Sequence, residues 1–165
     1  MTNSASIYSY GNYYNWYSAT AGRGTYSFST NNNSVTGDLC PAGWHLPIGG
    51  RKANVDVSDF WKLSRATIGA DPANFANDYF YYTGTPEGTD ASNKMRAYPN
   101  NFVYSGNVLG GSVNNRGSYG DFWSSTARSS NYAYNLYLNS SNVYPGTNSS
   151  SKYYGGTVRC VAPGV

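Results

Sequence analysis

Charge is scarce in this 165-residue chain: Asp, Glu, Lys and Arg together make up 12%, about half the usual share for a globular domain. No apolar run approaches the roughly 20 residues that a membrane-spanning helix requires, so direct membrane insertion is not expected. Met1 leads straight into Thr2-Asn3-Ser4, with no signal-peptide pattern; the chain therefore reads as a piece of a longer exported protein. The eleven basic residues are scattered, and Arg51-Lys52 is the only adjacent pair. With no basic stripe, nucleic acid is not an expected partner despite a pI near 8.8.

The eight acids are equally dispersed, whereas calcium needs six to eight oxygen ligands, several of them carboxylates. The nearest pair, Glu87 and Asp90, lies in a turn-rich segment and reads as a solvated loop, a structural calcium being the alternative. His45, the only histidine, sits between Trp44 and Leu46-Pro47 and reads as structural rather than as a general base. There is no Gly-x-Ser-x-Gly elbow, and Gly106, Gly110, Gly111, Gly117 and Gly120 lack the context of a phosphate loop, so they read as turns. No metal, cofactor or enzymatic activity is expected. Only Cys40 and Cys160 are present. A metal would demand more ligands, so the pair reads better as a disulfide, which implies an oxidising compartment.

What is abundant is neutral and polar. Asn, Ser, Tyr and Gly fill 79 of 165 positions, and 18 of these are tyrosines. Disordered chains share the polar bias but lack aromatics; here Tyr and Trp recur throughout, so the chain is expected to fold. A surface of Tyr, Ser, Gly and Asn has the chemistry of antibody paratopes, with aromatic area at low entropy cost and adaptable hydrogen bonds.

Residues 7–19 read as strand-like and 20–37 as loop, and Cys40–Pro47 cannot be a regular element. The best helix follows, with Asp56 or Ser58 as cap, Val57, Phe60, Trp61, Leu63 and Ser64 or Ile68 at 3–4 spacing, and Gly69 as its end. A second short helix is expected over 72–79. Between 80 and 120 the pattern predicts irregular structure with short strands, including 101–104 and 108–113 around a Ser-Gly-Asn turn. Strands are expected at 121–125, 131–139, 142–145 and 153–162. The clearest alternation sets Tyr132, Tyr134, Leu136 and Leu138 against Ala133, Asn135, Tyr137 and Asn139. The leucine set should face the core and the second set the solvent. Tyr13, Tyr14, Trp16, Trp44, Trp61 and Trp123 are expected in the core.

Six blocks, in order, carry a family resemblance: Gly11–Tyr17, Cys40–Pro47, Phe60–Leu63, Gly120–Thr126, Ala133–Asn139 and Lys152–Val161. In these the chain resembles the Fibrobacter succinogenes major paralogous domain family, exported bacterial domains related to C-type lectins and formylglycine-generating enzymes. The resemblance implies an α+β, C-type lectin-like fold, β-rich, with one or two short helices and long irregular loops. It implies one domain over 1–165, with a candidate insertion around 72–105, terminal strands close together, and Cys40 and Cys160 as a disulfide joining the pre-helix loop to the last strand. Those cysteines match the family's staple positions rather than a reactive pair. The Glu-Pro-Asn, Gln-Pro-Asp and Trp-Asn-Asp signatures of calcium-dependent sugar-binding lectins are absent.

The C-terminal third also resembles the variable half of retroelement-diversified lectin-fold proteins, with 18 of residues 127–158 being Asn, Ser or Tyr. The expected ligand-binding face comprises Asn131, Asn135, Tyr137, Asn139, Ser141, Asn142, Tyr144, Tyr153 and Tyr154. The function expected is a ligand-binding or adhesive domain at the cell surface, its partner a protein or a glycan. A non-binding spacer in an exported multidomain protein is the alternative.

Overall fold

Two long antiparallel strands organise the molecule. A computed structural model describes residues 10–25, 34–51, 54–69 and 87–162. Strands β4 (Tyr119–Ala127) and β5 (Tyr132–Asn139) pair antiparallel, with Phe122 opposite Leu136 and Trp123 opposite Asn135. On the far side of β5 runs β6 (Val143–Ser151). On the other side of β4, β7 (Gly156–Thr157) lies parallel to it and pairs in turn with β1 (Tyr13–Tyr14). The result is a mixed five-stranded sheet in the order β1-β7-β4-β5-β6. The first and last strands are neighbours in it. A two-stranded hairpin, β2 (Asn107–Leu109) and β3 (Ser112–Asn114), completes an α+β architecture. Its turn is Gly110-Gly111, both at positive φ, as a tight hairpin turn requires. The expected strand at 101–104 and the Ser105-Gly106-Asn107 turn do not form.

The two ten-residue helices cover the leucine face; the shortest helix packs on the other face. Helix α1 (Trp16–Ala19) is a single turn. Helix α2 (Asp59–Ile68) begins at Ser58, whose Oγ accepts from Trp61 N at 3.2 Å and donates to Ile48 O at 3.0 Å. It ends at Gly69 with φ 67°, both as the sequence predicts. Ser58→Ala is expected to lower stability by about 1 kcal/mol through loss of the cap, read from urea unfolding midpoints. Gly146 (φ 82°) lets α2 approach β6, since a Cβ there would sit 3.0 Å from that of Phe60.

Helix α3 (Glu87–Arg96) falls where irregular structure is expected, so Glu87 and Asp90 stand on a helix rather than in a loop. Asp90 pairs with Lys94 at 2.7 Å. Residues such as Gly88, Thr89, Ser92 and Asn93 are weak helix formers. What holds α3 is burial of Ala91 and Met95, one turn apart, against Phe60, Phe102, Phe122, Leu136, Leu138 and Val143. Ala91, Met95 and Phe102 from this stretch are thus core residues. The helix expected at 72–79 lies outside the described residues.

A second apolar cluster fills one end of the opposite sheet face: Trp16, Ala19, Val35, Leu46, Trp123, Ala127 and Ala133. Trp16 donates Nε1–H to Ser124 O and Trp123 to Tyr14 O, each at 2.8 Å, so both indoles are buried with their donor satisfied. Trp61 is also buried, but Trp44 is 51% exposed, against expectation. It lies in the Pro41–Pro47 loop, which packs through Leu46 instead.

Cys40 and Cys160 form a disulfide with Cα atoms 5.8 Å apart. Beside it His45 and Val161 exchange backbone hydrogen bonds at 3.0 and 2.9 Å. His45 Nε2 meets Asp59 Oδ2 at 3.0 Å, and the same oxygen accepts from Ile48 N. The expected strand over 153–162 is reduced to β7 and this bridge. Among the described residues no helix is long and apolar enough to cross a membrane.

Candidate functional site: a tyrosine row over a buried polar layer

The second face of β5 changes character along its length. Ala133 is buried in the tryptophan cluster, Asn135 is also buried, and Tyr137 and Asn139 are half-buried. Alternation sends all four to one side; what covers each differs. The expectation that Asn135 faces solvent is corrected here: it is 1% exposed. Its Nδ2 donates to Asp121 Oδ1 and to Ser150 Oγ, the latter at 2.9 Å. Asp121 Oδ2 accepts from Ser150 Oγ at 3.3 Å, and Asn107, from β2, also hydrogen-bonds this carboxyl. Burial pushes the Asp121 carboxyl up to about 7, opposed by the hydrogen bonds from Ser150, Asn107 and Asn135. Asn135 Oδ1 has no hydrogen-bond partner among the described residues.

Beyond this layer stand three tyrosines from three adjacent strands: Tyr119 on β4, Tyr137 on β5 and Tyr144 on β6. Ring centroids are 5.2 Å apart for Tyr119–Tyr137 and 5.6 Å for Tyr137–Tyr144, the latter edge-to-face at 74°. Asn139 Nδ2 donates to the Tyr137 hydroxyl at 3.0 Å, and Asn115 Nδ2 to that of Tyr119 at 2.9 Å. Burial raises the Tyr137 hydroxyl above its ordinary range, so it stays protonated at neutral pH and keeps a donor to offer. The row is half-buried and held by its own contacts, a preorganised aromatic and hydroxyl surface.

The remaining expected site residues divide. Asn139 Oδ1 accepts from Ser141 N at 2.9 Å and Asn142 N at 2.8 Å. This Asx-type turn places Ser141 and Asn142 beside the row. Asn131 is exposed in the β4–β5 turn, where its carbonyl accepts from Lys152 N.

Tyr153 and Tyr154, expected to join the same surface, have their contacts elsewhere. Tyr153 lies against Tyr17 at 5.5 Å, and Tyr154 packs on the Trp16 cluster. The cause is the turn after β6, where Trp16 N bonds Lys152 O and draws the chain toward α1.

Sequence reasoning missed Tyr119 and Asp121, because it began the strand at 121 and treated that acid as one of the dispersed charges. Their placement two residues apart, on the parity that faces Asn139 and Tyr137, was the available signal.

Among the described residues no group of three or more His, Cys, Asp or Glu side chains is arranged to hold a metal ion. Comparison of the chain with protein-family profiles, with curated proteins and with solved structures yields no match.

Proposed function

We propose that this chain is a ligand-binding or adhesive module of an exported bacterial surface protein, of C-type lectin-like kind, which binds a protein or glycan through the Tyr119–Tyr137–Tyr144 row and its Asn and Ser surround. The observation that carries the reading is the row itself: three rings from three neighbouring strands, packed on one another and half-open to solvent. Tyrosine is favoured at binding hot spots, where it combines a large rigid contact area with a polar tip.

Residues beside it are neutral hydrogen-bonding groups from short side chains, which adapt to a ligand at little entropic cost. The Cys40–Cys160 bond supports an extracellular or cell-surface location, since such bonds persist in oxidising compartments. A purified domain probed on glycan and surface-protein arrays is expected to give saturable capture of at least one ligand. Absence of any capture at micromolar concentration would favour a spacer that binds nothing.

A further inference from the structure

Two arginines stand over tyrosine rings near the C-terminal end of α3 and the loop after β3. The guanidinium carbon of Arg96, the last residue of α3, lies 4.0 Å from the centroid of the Tyr104 ring. That of Arg116 lies 5.1 Å from the Tyr10 ring and 5.7 Å from the Tyr13 ring. Arg116 donates through Nε and Nη2 to the Tyr13 hydroxyl, each at 3.2 Å. Both side chains are exposed. The ion pairs among the described residues are His45–Asp59 and Lys94–Asp90, so neither arginine meets a carboxylate. A cleft of about 340 Å³ is lined by Tyr10, Arg96, Val103, Tyr104 and Gly117, and Arg116 adjoins it through Tyr10 and Gly117.

A guanidinium held against a ring keeps N–H groups for other partners: Arg116 spends Nε and one Nη2 hydrogen on the Tyr13 hydroxyl, which leaves its Nη1–Nη2 edge as a fork. That fork matches a carboxylate in geometry and charge. Two positive charges beside one small cleft, neither ion-paired to an acid among the described residues, raise the local concentration of anions. The cleft is at the small end of ligand sites, sized for one or two sugar rings rather than for a protein loop. Its tyrosine walls offer apolar area to sugar C–H groups.

We infer that this cleft binds a carboxylate-bearing sugar of the uronic-acid type, as a site separate from the tyrosine row and independent of the function proposed for it.

The test is titration of the purified domain with sodium glucuronate, followed by calorimetry and by backbone amide NMR. Its uncharged methyl ester and inorganic phosphate serve as comparison arms. Glucuronate is expected to bind saturably, to shift the Tyr104 and Gly117 amides, and to weaken with added salt. Arg96→Gln and Arg116→Gln should each lower affinity about tenfold, as loss of charge-assisted hydrogen bonds does, with the melting temperature unchanged. Ester and phosphate should bind at least tenfold more weakly, and Tyr137→Ala should leave glucuronate affinity unchanged. No saturable binding, equal binding of phosphate or ester, indifference to both arginine substitutions, or loss of binding in Tyr137→Ala would each overturn the assignment.

Discussion

Raising the pH from 5 to 8 is expected to lower the stability of the folded protein by on the order of 2–3 kcal/mol through Asp121 alone. Its carboxyl titrates near 7 when folded and near the ordinary 3.8 when unfolded. Below pH 4 the group is neutral in both states and contributes no difference. Between 4 and 7 the unfolded chain has released the proton while the folded one retains it, so each pH step favours unfolding. Above 7 both states are ionised and the loss levels off. Asp121→Asn removes the titration and keeps one carbonyl oxygen as an acceptor for Asn135 Nδ2. Urea unfolding at pH 5 and pH 8 for both proteins isolates this contribution as the difference between their pH dependences. A wild-type slope that persists undiminished in Asp121→Asn would place its origin elsewhere.

Breaking the disulfide is expected to have an effect of similar size. Cys40 and Cys160 close a loop of sequence separation 120, and in the chain-entropy view such a cross-link contributes on the order of 4 kcal/mol by restricting the unfolded state. The double substitution Cys40→Ser and Cys160→Ser, or reduction of the native bond, should lower the urea midpoint accordingly. The His45–Val161 bridge beside it is too short to hold the C-terminal segment on the pre-helix loop unaided. A loss below about 1 kcal/mol would mean that the unfolded chain is already compact.

How legible this was in the sequence depended on what each residue's neighbours do. Helix α2 was readable because its signals are local: a serine cap, a 3–4 apolar spacing and a terminal glycine. The core side of β5 was readable over Tyr134, Leu136 and Leu138, which obey period two and are all buried, but not at Tyr132 of the same set, which is 45% exposed at the start of the strand. Helix α3 was not, since its composition opposes a helix and only the distant partners of Ala91 and Met95 select one. Asn135 failed for a related reason. A rule assigning one face to the core and one to water holds for a sheet covered on one side; here the tryptophan cluster and a polar layer around Asp121 cover part of the second face. The tyrosine row was half visible, as Tyr137 and Tyr144, and lost Tyr119 to a strand boundary drawn two residues late. No local pattern marks Tyr153 and Tyr154 as belonging with α1, because a turn three residues before β7 decides it.

The most direct test of the binding reading is the affinity of Tyr137→Ala for a ligand captured on the arrays, measured by calorimetry at a temperature where near-ultraviolet circular dichroism shows the variant folded. Tyr137 is the central ring of the row, touching both Tyr119 and Tyr144. Its truncation is expected to weaken binding by at least about 1 kcal/mol, the mark of an aromatic contact residue, while Tyr153→Ala, remote in its contacts, leaves affinity unchanged. A folded Tyr137→Ala domain that binds the captured ligand as tightly as wild type would contradict the assignment of this face.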